Sequence, residues 1–415
     1  MMDKTRPKRE TERKNRAVQR DRTDRMKETD RKSKQGRNRP GKNRTSRQNR
    51  LRRKVLIGLS VAIGVLFAVG VALIAAWLIL DYQGRQQLAA KQEAVPEAMG
   101  QVFAADTNGE ETLQTGELRY QGKTYAYKND VMTFLFMGID KTGEMEASED
   151  LYEGGQADAL FLAVLDPGEA KISVIGINRD TMAEISIYDR NGLYAGKQTT
   201  QIALAHAYGD GMEGSCENTV EAVSQLFYGL PIHGYCALNM EVVNLLNDAV
   251  GGVDVIIPES AAGADMEIDG ERYKTGWETG QQVHLMGNDA YTFIRYRDTE
   301  QAQSAEARLE RQKTYLQAFI GQAMRAVKQD LTLPLTLYQA VTPYMVTDIT
   351  AQEAVHIAGE AVSYSFSEED LHSMQGEVKM GEVFEEFYAD ETALYELILQ
   401  VFYEEVPEGA DELEG

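Results

Sequence analysis

Four residues with side chains suited to phosphate and hard-metal chemistry stand at the ends of apolar runs. Asp140 follows VMTFLFMGI, Asp158 precedes ALFLAVL, and Arg179 and Asp180 follow KISVIGI. Carboxylate oxygens are the ligands that Mg²⁺ prefers, and it often shares them with substrate phosphates. A guanidinium presents a planar fork of donors matched to phosphate oxygens. Taken singly, each of the four is an ordinary strand-end turn residue; they carry chemistry only if the fold makes them converge. A second group follows GNDAYTFI. Arg295 and Arg297 lie close together, and Arg308 and Gln312 are four residues apart, so they share one face of a helix, with Arg311 in the same turn. Two arginines near an element end are usually solvated, so this group also depends on its setting.

The elements that would position these residues can be read from the pattern. Residues 131–139 are nearly all apolar and predict a strand buried on both faces. A second strand covers 159–165, and Asp166-Pro167-Gly168 is a turn signal leading into a third at 171–177. The short second connection makes that pair antiparallel, and the longer first loop is compatible with the same. In such a meander the end of the first strand, the start of the second and the end of the third share one edge. Asp140, Asp158 and Arg179 would therefore meet there. Beyond them the pattern predicts a helix over 217–228, a strand near 233–238, and a helix over 241–249 closed by Gly251-Gly252 as cap and turn. A strand at 253–257 and a long amphipathic helix over 305–328 follow, with further helices and loops over 331–405. Alternating strands and helices give an α/β domain with a central mixed sheet flanked by helices.

The charge is split. Residues 1–54 hold 23 Lys and Arg against 7 Asp and Glu, whereas the remaining chain holds 20 against 58, within a total net charge of -22 over 415 residues. Between the two runs an uncharged stretch at 55–80, long enough to span a bilayer. It exceeds the apolar run of a cleaved signal peptide and ends in Trp77-Leu78-Ile79-Leu80 rather than small residues. Basic residues precede it and Asp81 follows it, so the N-terminus is expected in the cytoplasm and the main domain outside. The expected organisation is a basic cytoplasmic tail (1–54), a single transmembrane helix (55–80) and an extracellular stalk (81–130). A catalytic core (131–330), a C-terminal helical part of the same domain (331–405) and an acidic tail (406–415) complete it. An acidic outer domain repels phosphate backbones, which disfavours nucleic acid as a partner. Five scattered histidines lack zinc-ligand spacing. Cys216 and Cys236, at a helix start and in the returning strand, are either a disulfide or two small buried thiols.

The ordered series FLFMGID, ADALFLAVLDP, INRDT, AHAYG, LLNDAVGGVDV, LMGNDAYTFIRYR and RLERQ, behind an N-terminal anchor, resembles the LytR-CpsA-Psr family of cell-envelope proteins. The resemblance covers about residues 134–312. It implies an enzyme of the bacterial cell membrane that transfers a glycopolymer from a polyprenyl-pyrophosphate carrier to peptidoglycan. It also implies an apolar pocket for the lipid, Mg²⁺ on Asp140 and Asp158, and the pyrophosphate on Arg179, Arg295, Arg297 and Arg308 with Gln312 beside them. Arg179, Asp180, Arg295 and Arg297 fall in the catalytic set, Asp180 as a candidate base. The family usually has an arginine two residues before the second metal aspartate, where this chain has Gln156. It has Asp and Gly before the last arginine, where this chain has Ala305-Glu306-Ala307. The alternatives within the same resemblance are an envelope-associated regulator and a lipid-binding module without turnover.

Overall fold

A computed structural model describes residues 75–91, 115–148, 153–189, 192–268, 270–297 and 304–407. The basic tail and residues 55–74 of the expected membrane span lie outside them. Among the described residues no helix is long and apolar enough to cross a membrane.

Residues 75–89 are helical (α1). Two short strands, β1 (Glu117–Tyr120) and β2 (Lys123–Tyr127), form a hairpin that pairs with the C-terminal strand described below. The three apolar runs then form β3 (Met132–Ile139), β4 (Ala157–Asp166) and β5 (Lys171–Ile177), successively antiparallel as the turn chemistry required. A hairpin of β6 (Met182–Tyr188) and β7 (Tyr194–Gln201) follows, then the short helix α2 (Leu204–Ala207) and α3 (Glu213–Leu226). Helix α3 begins four residues before the expected start because Asp210 Oδ1 accepts from the amides of Met212 and Ser215, at 2.8 and 3.1 Å, and so serves its first turn.

Strand β8 (Gly234–Leu238) returns parallel to β3, and α4 (Glu241–Ala249) follows. Gly251 and Gly252 end α4 at φ 88° and 79°, and the Gly252 amide donates to the Asn247 carbonyl at 2.8 Å, the capping role expected of them. Next come β9 (Val253–Ile256), the hairpin β10 (Asp265–Ile268) and β11 (Glu271–Lys274), and β12 (Gln282–Leu285), which pairs with β9. Helices α5 (Asn288–Arg295), α6 (Ser304–Gln329) and α7 (Leu333–Val341) follow.

Residues 331–405 are not the helical extension expected of them. Besides α8 (Ala351–Ala361) and α9 (Glu391–Phe402), they supply the strands β13 (Met345–Thr347), β14 (Leu371–Ser373), β15 (Gly376–Met380), β16 (Glu385–Ala389) and β17 (Tyr403–Val406). Two of them complete a six-stranded mixed sheet, ordered β13-β8-β3-β4-β5-β14. Strands of three residues are too short to show a period of two, so only their partners reveal them.

The boundary expected at residue 131 also shifts. Strand β17 pairs with β2, and α1 lies on α8, where Asp81 meets His356 at 2.8 Å and Lys91 meets the buried Glu353 at 3.2 Å. The described parts of 81–130 thus belong to the folded unit rather than to a free stalk.

Alternation along the strands separates two layers. Leu135, Met137, Leu160, Leu162, Ile175 and Ile177 are fully buried against α3 and α9. Gly138, Ala159, Phe161, Ala163 and Val174 face α4 and α6 instead, and there they line an apolar cavity of about 360 Å³. Strand β3 is thus buried on both faces, as expected, except beside the cavity, where Phe136 is 38 % exposed. The two cysteines fall on opposite sides of this division. Cys216 joins the core under α3, and Cys236 points to the other layer beside Phe134, so both are free, buried thiols and not a disulfide.

Candidate functional site

The meander brings the strand ends to one edge. Pairing of β3 with β4 matches Gly138 to Ala159 and then Ile139 to Ala157, leaving Asp158 as the extra residue of a bulge. A bulge twists its strand and re-aims a side chain. Here the Asp158 carboxylate meets two guanidiniums: Arg179 Nη1 donates to Oδ1, and Arg308 Nη1 donates to Oδ2 at 3.0 Å. Asp158 is thus bound by an arginine 21 residues away and by another 150 residues away. The three side chains are 8–16 % exposed, so little water screens them. Arg179 Nη2 also donates to Gln156 Oε1. Its Nε lies 3.3 Å from Asp180 Oδ1 but off the line of a hydrogen bond, which leaves a buried donor unsatisfied at this edge.

Asp140 is exposed beside this cluster. Its Oδ1 accepts from the Gln156 amide at 2.6 Å, and its own amide donates to the Gln156 carbonyl at 3.1 Å. Asp180 is buried, and burial raises its carboxyl above the usual range against the opposing pull of Arg179, Arg297 and Arg308. Burial likewise lowers the Arg308 guanidinium, opposed by Asp158 and assisted by Arg179 and Arg297.

The later arginines divide. Arg297 belongs to the cluster electrostatically and donates from Nε to Ser304 Oγ at 2.8 Å. Arg295 is held on its own helix, donating to the Tyr291 hydroxyl at 2.7 Å with its guanidinium 5.6 Å from that ring's centre. Arg311, one turn beyond Arg308, is 3 % exposed and donates to the carbonyls of Phe293, Ser260 and Tyr296. It ties α6 to α5 and to the loop after β9, and burial pulls it down to about 10. Gln312 shares a face with Arg308, as its spacing required, and lines the cavity. It marks the junction where the charged edge opens onto apolar walls.

The sequence reading assigned no role to two residues that hold this edge. Gln201 Nε2 donates to Asp180 Oδ1 at 3.0 Å, and no local pattern marks it. His206, within AHAYG, is fully buried with Nδ1 3.0 Å from the Gly155 carbonyl, which steadies the segment leading to Asp158. Only its place in the motif pointed to it.

Among the described residues there is no group of three or more His, Cys, Asp or Glu able to hold a metal. Two carboxylates at one edge, with one of them already shared by arginines, do not make a protein cage. They do fit Mg²⁺, which takes one or two carboxylates and fills its other positions with phosphate oxygens and water.

Comparison with known proteins identifies the family. The model of the LytR_cpsA_psr family matches residues 98–398. A Bacillus mycoides protein named polyisoprenyl-teichoic acid–peptidoglycan teichoic acid transferase TagU is 30 % identical over 217 residues, 52 % of this chain and 56 % of its own. The Bacillus subtilis protein of the same activity name, TagV, is 25 % identical over 225 residues, 54 % and 52 % of the two chains. The chain thus matches about half the length of these relatives. The crystal structure of protein gbs0355 from Streptococcus agalactiae shares the fold, with a TM-score of 0.50 and 18 % identity over 65 % of this chain and 87 % of that one. With the family model matching residues 98–398 and the motif residues gathered at one sheet edge, this chain belongs to the LytR_cpsA_psr family.

Proposed function

We propose that this protein is a membrane-anchored transferase that moves a glycopolymer from a polyprenyl-pyrophosphate carrier onto peptidoglycan at the outer face of a bacterial membrane. The observation that carries the reading is the junction at Gln312. Arg179 and Arg308 on Asp158, with Arg297 close enough to act on Arg308 and Asp180, lie next to an apolar cavity of about 360 Å³, a head-and-tail site matched to a lipid pyrophosphate. The names of the curated relatives support the same substrate class. The uncharged stretch at 55–80 with its basic flank supports the anchor and its orientation.

In this mechanism a peptidoglycan hydroxyl attacks the phosphorus that carries the glycan. A new P–O bond forms, the bond from that phosphorus to the bridging oxygen breaks, and its electron pair leaves with polyprenyl phosphate. Arg179 and Arg308 would turn from Asp158 to the phosphate oxygens and oppose the charge that develops on them. Arg297 adds positive potential, and Arg295, held on Tyr291 at the helix end before it, would turn from that ring to serve as a further phosphate ligand. Asp180, its affinity for a proton raised by burial, takes the hydroxyl proton. Asp140 and Asp158 are the residues that would hold Mg²⁺, which supplies further charge neutralisation when bound.

The test is turnover. Full-length protein in lipid nanodiscs, given a polyprenyl-pyrophosphate-linked glycan, Mg²⁺ and peptidoglycan, should release polyprenyl phosphate in step with glycan attachment. Binding of the lipid without release would instead make the protein a lipid-binding module, the reading that Gln156 and Ala305 favour.

A further inference from the structure

The hairpin of β15 and β16 ends in an exposed apolar tip beside the charged edge. Met380, Val383 and Phe384 are 74, 72 and 66 % exposed. The turn is closed by the Gly381 amide donating to the Phe384 carbonyl at 2.9 Å. The hairpin is fastened directly to Asp180. The Phe387 amide donates to the Asp180 carbonyl at 2.8 Å, and Gln201 Nε2 donates both to Asp180 Oδ1 and to the Glu385 carbonyl, at 3.0 and 2.9 Å. Strand β16 runs parallel to the start of β6 through the bridge between Thr181 and Phe387. By this register Glu386 lies level with Asp180 and Glu385, the first residue of β16, with Arg179, and the turn before it projects past the strand ends.

The side of the sheet is the decisive point. The cavity opens on the layer of Gly138, Phe161 and Val174, under α4 and α6. The inward side chains of the hairpin, Val378 and Phe387, pack in the other layer with Leu162 and Ile175. Phosphoryl transfer places the attacking and leaving oxygens roughly in line. If polyprenyl phosphate leaves toward the cavity, the nucleophile enters from the side on which the hairpin stands.

From this geometry we infer that the tip of the β15–β16 hairpin is the acceptor subsite and takes an uncharged stretch of glycan, with Phe384 as the platform for a pyranose ring. The inference rests on the transferase reading above and adds the second substrate's place. A pyranose offers an apolar C–H face to an aromatic ring, while its hydroxyls donate to carboxylates. Glu382, Glu385 and Glu386 lie at this tip. The same carboxylates repel polyanions and work against docking on an anionic lipid surface, which attracts basic segments instead. Lys379 is occupied on the Tyr388 ring, 4.9 Å from its centre. The tip is exposed, so its substitution leaves the core unchanged.

The probe is chitotetraose, a neutral oligomer of an N-acetylated sugar, titrated calorimetrically into full-length protein in nanodiscs. Phe384→Ala should weaken binding roughly five- to tenfold, in keeping with the loss of one aromatic contact, and Phe384→Tyr should restore it. In turnover, Phe384→Ala should raise KM for the acceptor by a similar factor and leave KM for the lipid donor and kcat unchanged. Wild-type protein that does not bind the oligomer, or Phe384→Ala protein that binds it normally, overturns the inference. So does a variant that loses only its affinity for phospholipid vesicles, which would make the tip a membrane contact. Absence of turnover in the wild type would count against the transferase reading alone, because the titration scores the subsite independently.

Discussion

The charged edge and the apolar cavity share strands β3 and β4 and helix α6, yet they are held in different ways. At the edge each side chain has a named partner, and one carboxylate serves two guanidiniums. In the cavity, side chains such as Phe161, Val174 and Phe319 only bound a space. A charged site works through orientation and desolvation, so small displacements matter. An apolar one works through the area it removes from water, which varies smoothly with size. Helix α6 repeats the contrast within one turn, where Arg308 faces the reacting edge and Arg311 fastens backbone carbonyls.

The largest effects should separate these two arginines. Arg308→Lys keeps a charge but loses the fork, and should lower kcat by about 100-fold or more, the scale seen when one electrostatic donor is removed from a reacting site. Its melting temperature should stay close to wild type. Arg311→Lys should do the reverse, costing about 2 kcal/mol of stability through buried carbonyls left without donors, with nearly normal turnover in the protein that remains folded. Urea melts and turnover on the same two preparations decide it. Equal loss of turnover at equal stability would erase the distinction.

The two aspartates sharpen the comparison inside the edge itself. Asp158→Asn removes the carboxylate that Arg179 and Arg308 share and leaves them only Asp180, 3.3 Å from Arg179, as counter-charge, which should destabilise the fold by about 3 kcal/mol and abolish transfer. Asp140→Asn keeps an oxygen for the Gln156 amide and should melt like wild type, while its turnover loses its response to Mg²⁺. A normal Mg²⁺ titration in Asp140→Asn would remove Asp140 from the metal site.

The cavity should give graded effects. Ala163→Leu places a larger side chain among the lining residues and should raise KM for a long-chain lipid donor roughly tenfold, the scale of a steric change in an apolar pocket. A donor with a much shorter tail should be affected less. Equal effects on both donors would mean that the tail does not enter this space.

The smallest effect expected is at the cysteines, which lie in neither region's chemistry. Burial pushes the Cys236 thiol up to about 12 and raises Cys216 as well, and a thiol that is not ionised reacts slowly. Labelling of native protein without reductant should therefore be slow, and denaturant should then reveal two thiols. No thiol on denaturation would require a bridge across the sheet.

What the sequence determined by itself was local order and its immediate consequences. Apolar runs bounded by Asp140, Asp158 and Asp166-Pro167-Gly168 specify β3 to β5, and their antiparallel order alone brings the two aspartates and Arg179 to one edge. Gly251-Gly252 and the spacing of Arg308 and Gln312 were legible for the same reason, since caps and i,i+4 faces are set by neighbours in the chain. Tertiary structure alone decided the rest. It made Asp158 the bulge residue, gave it to two arginines, and put Arg311 in the framework instead of the site. It recruited three-residue strands from beyond residue 345 into the sheet, placed Cys216 and Cys236 in different layers, and set the β15–β16 hairpin against Asp180. Each of these is a contact between residues far apart in the chain, where the energy comes from shared burial and from the pairing of buried polar groups. Neither leaves a period or a turn signal in the local sequence.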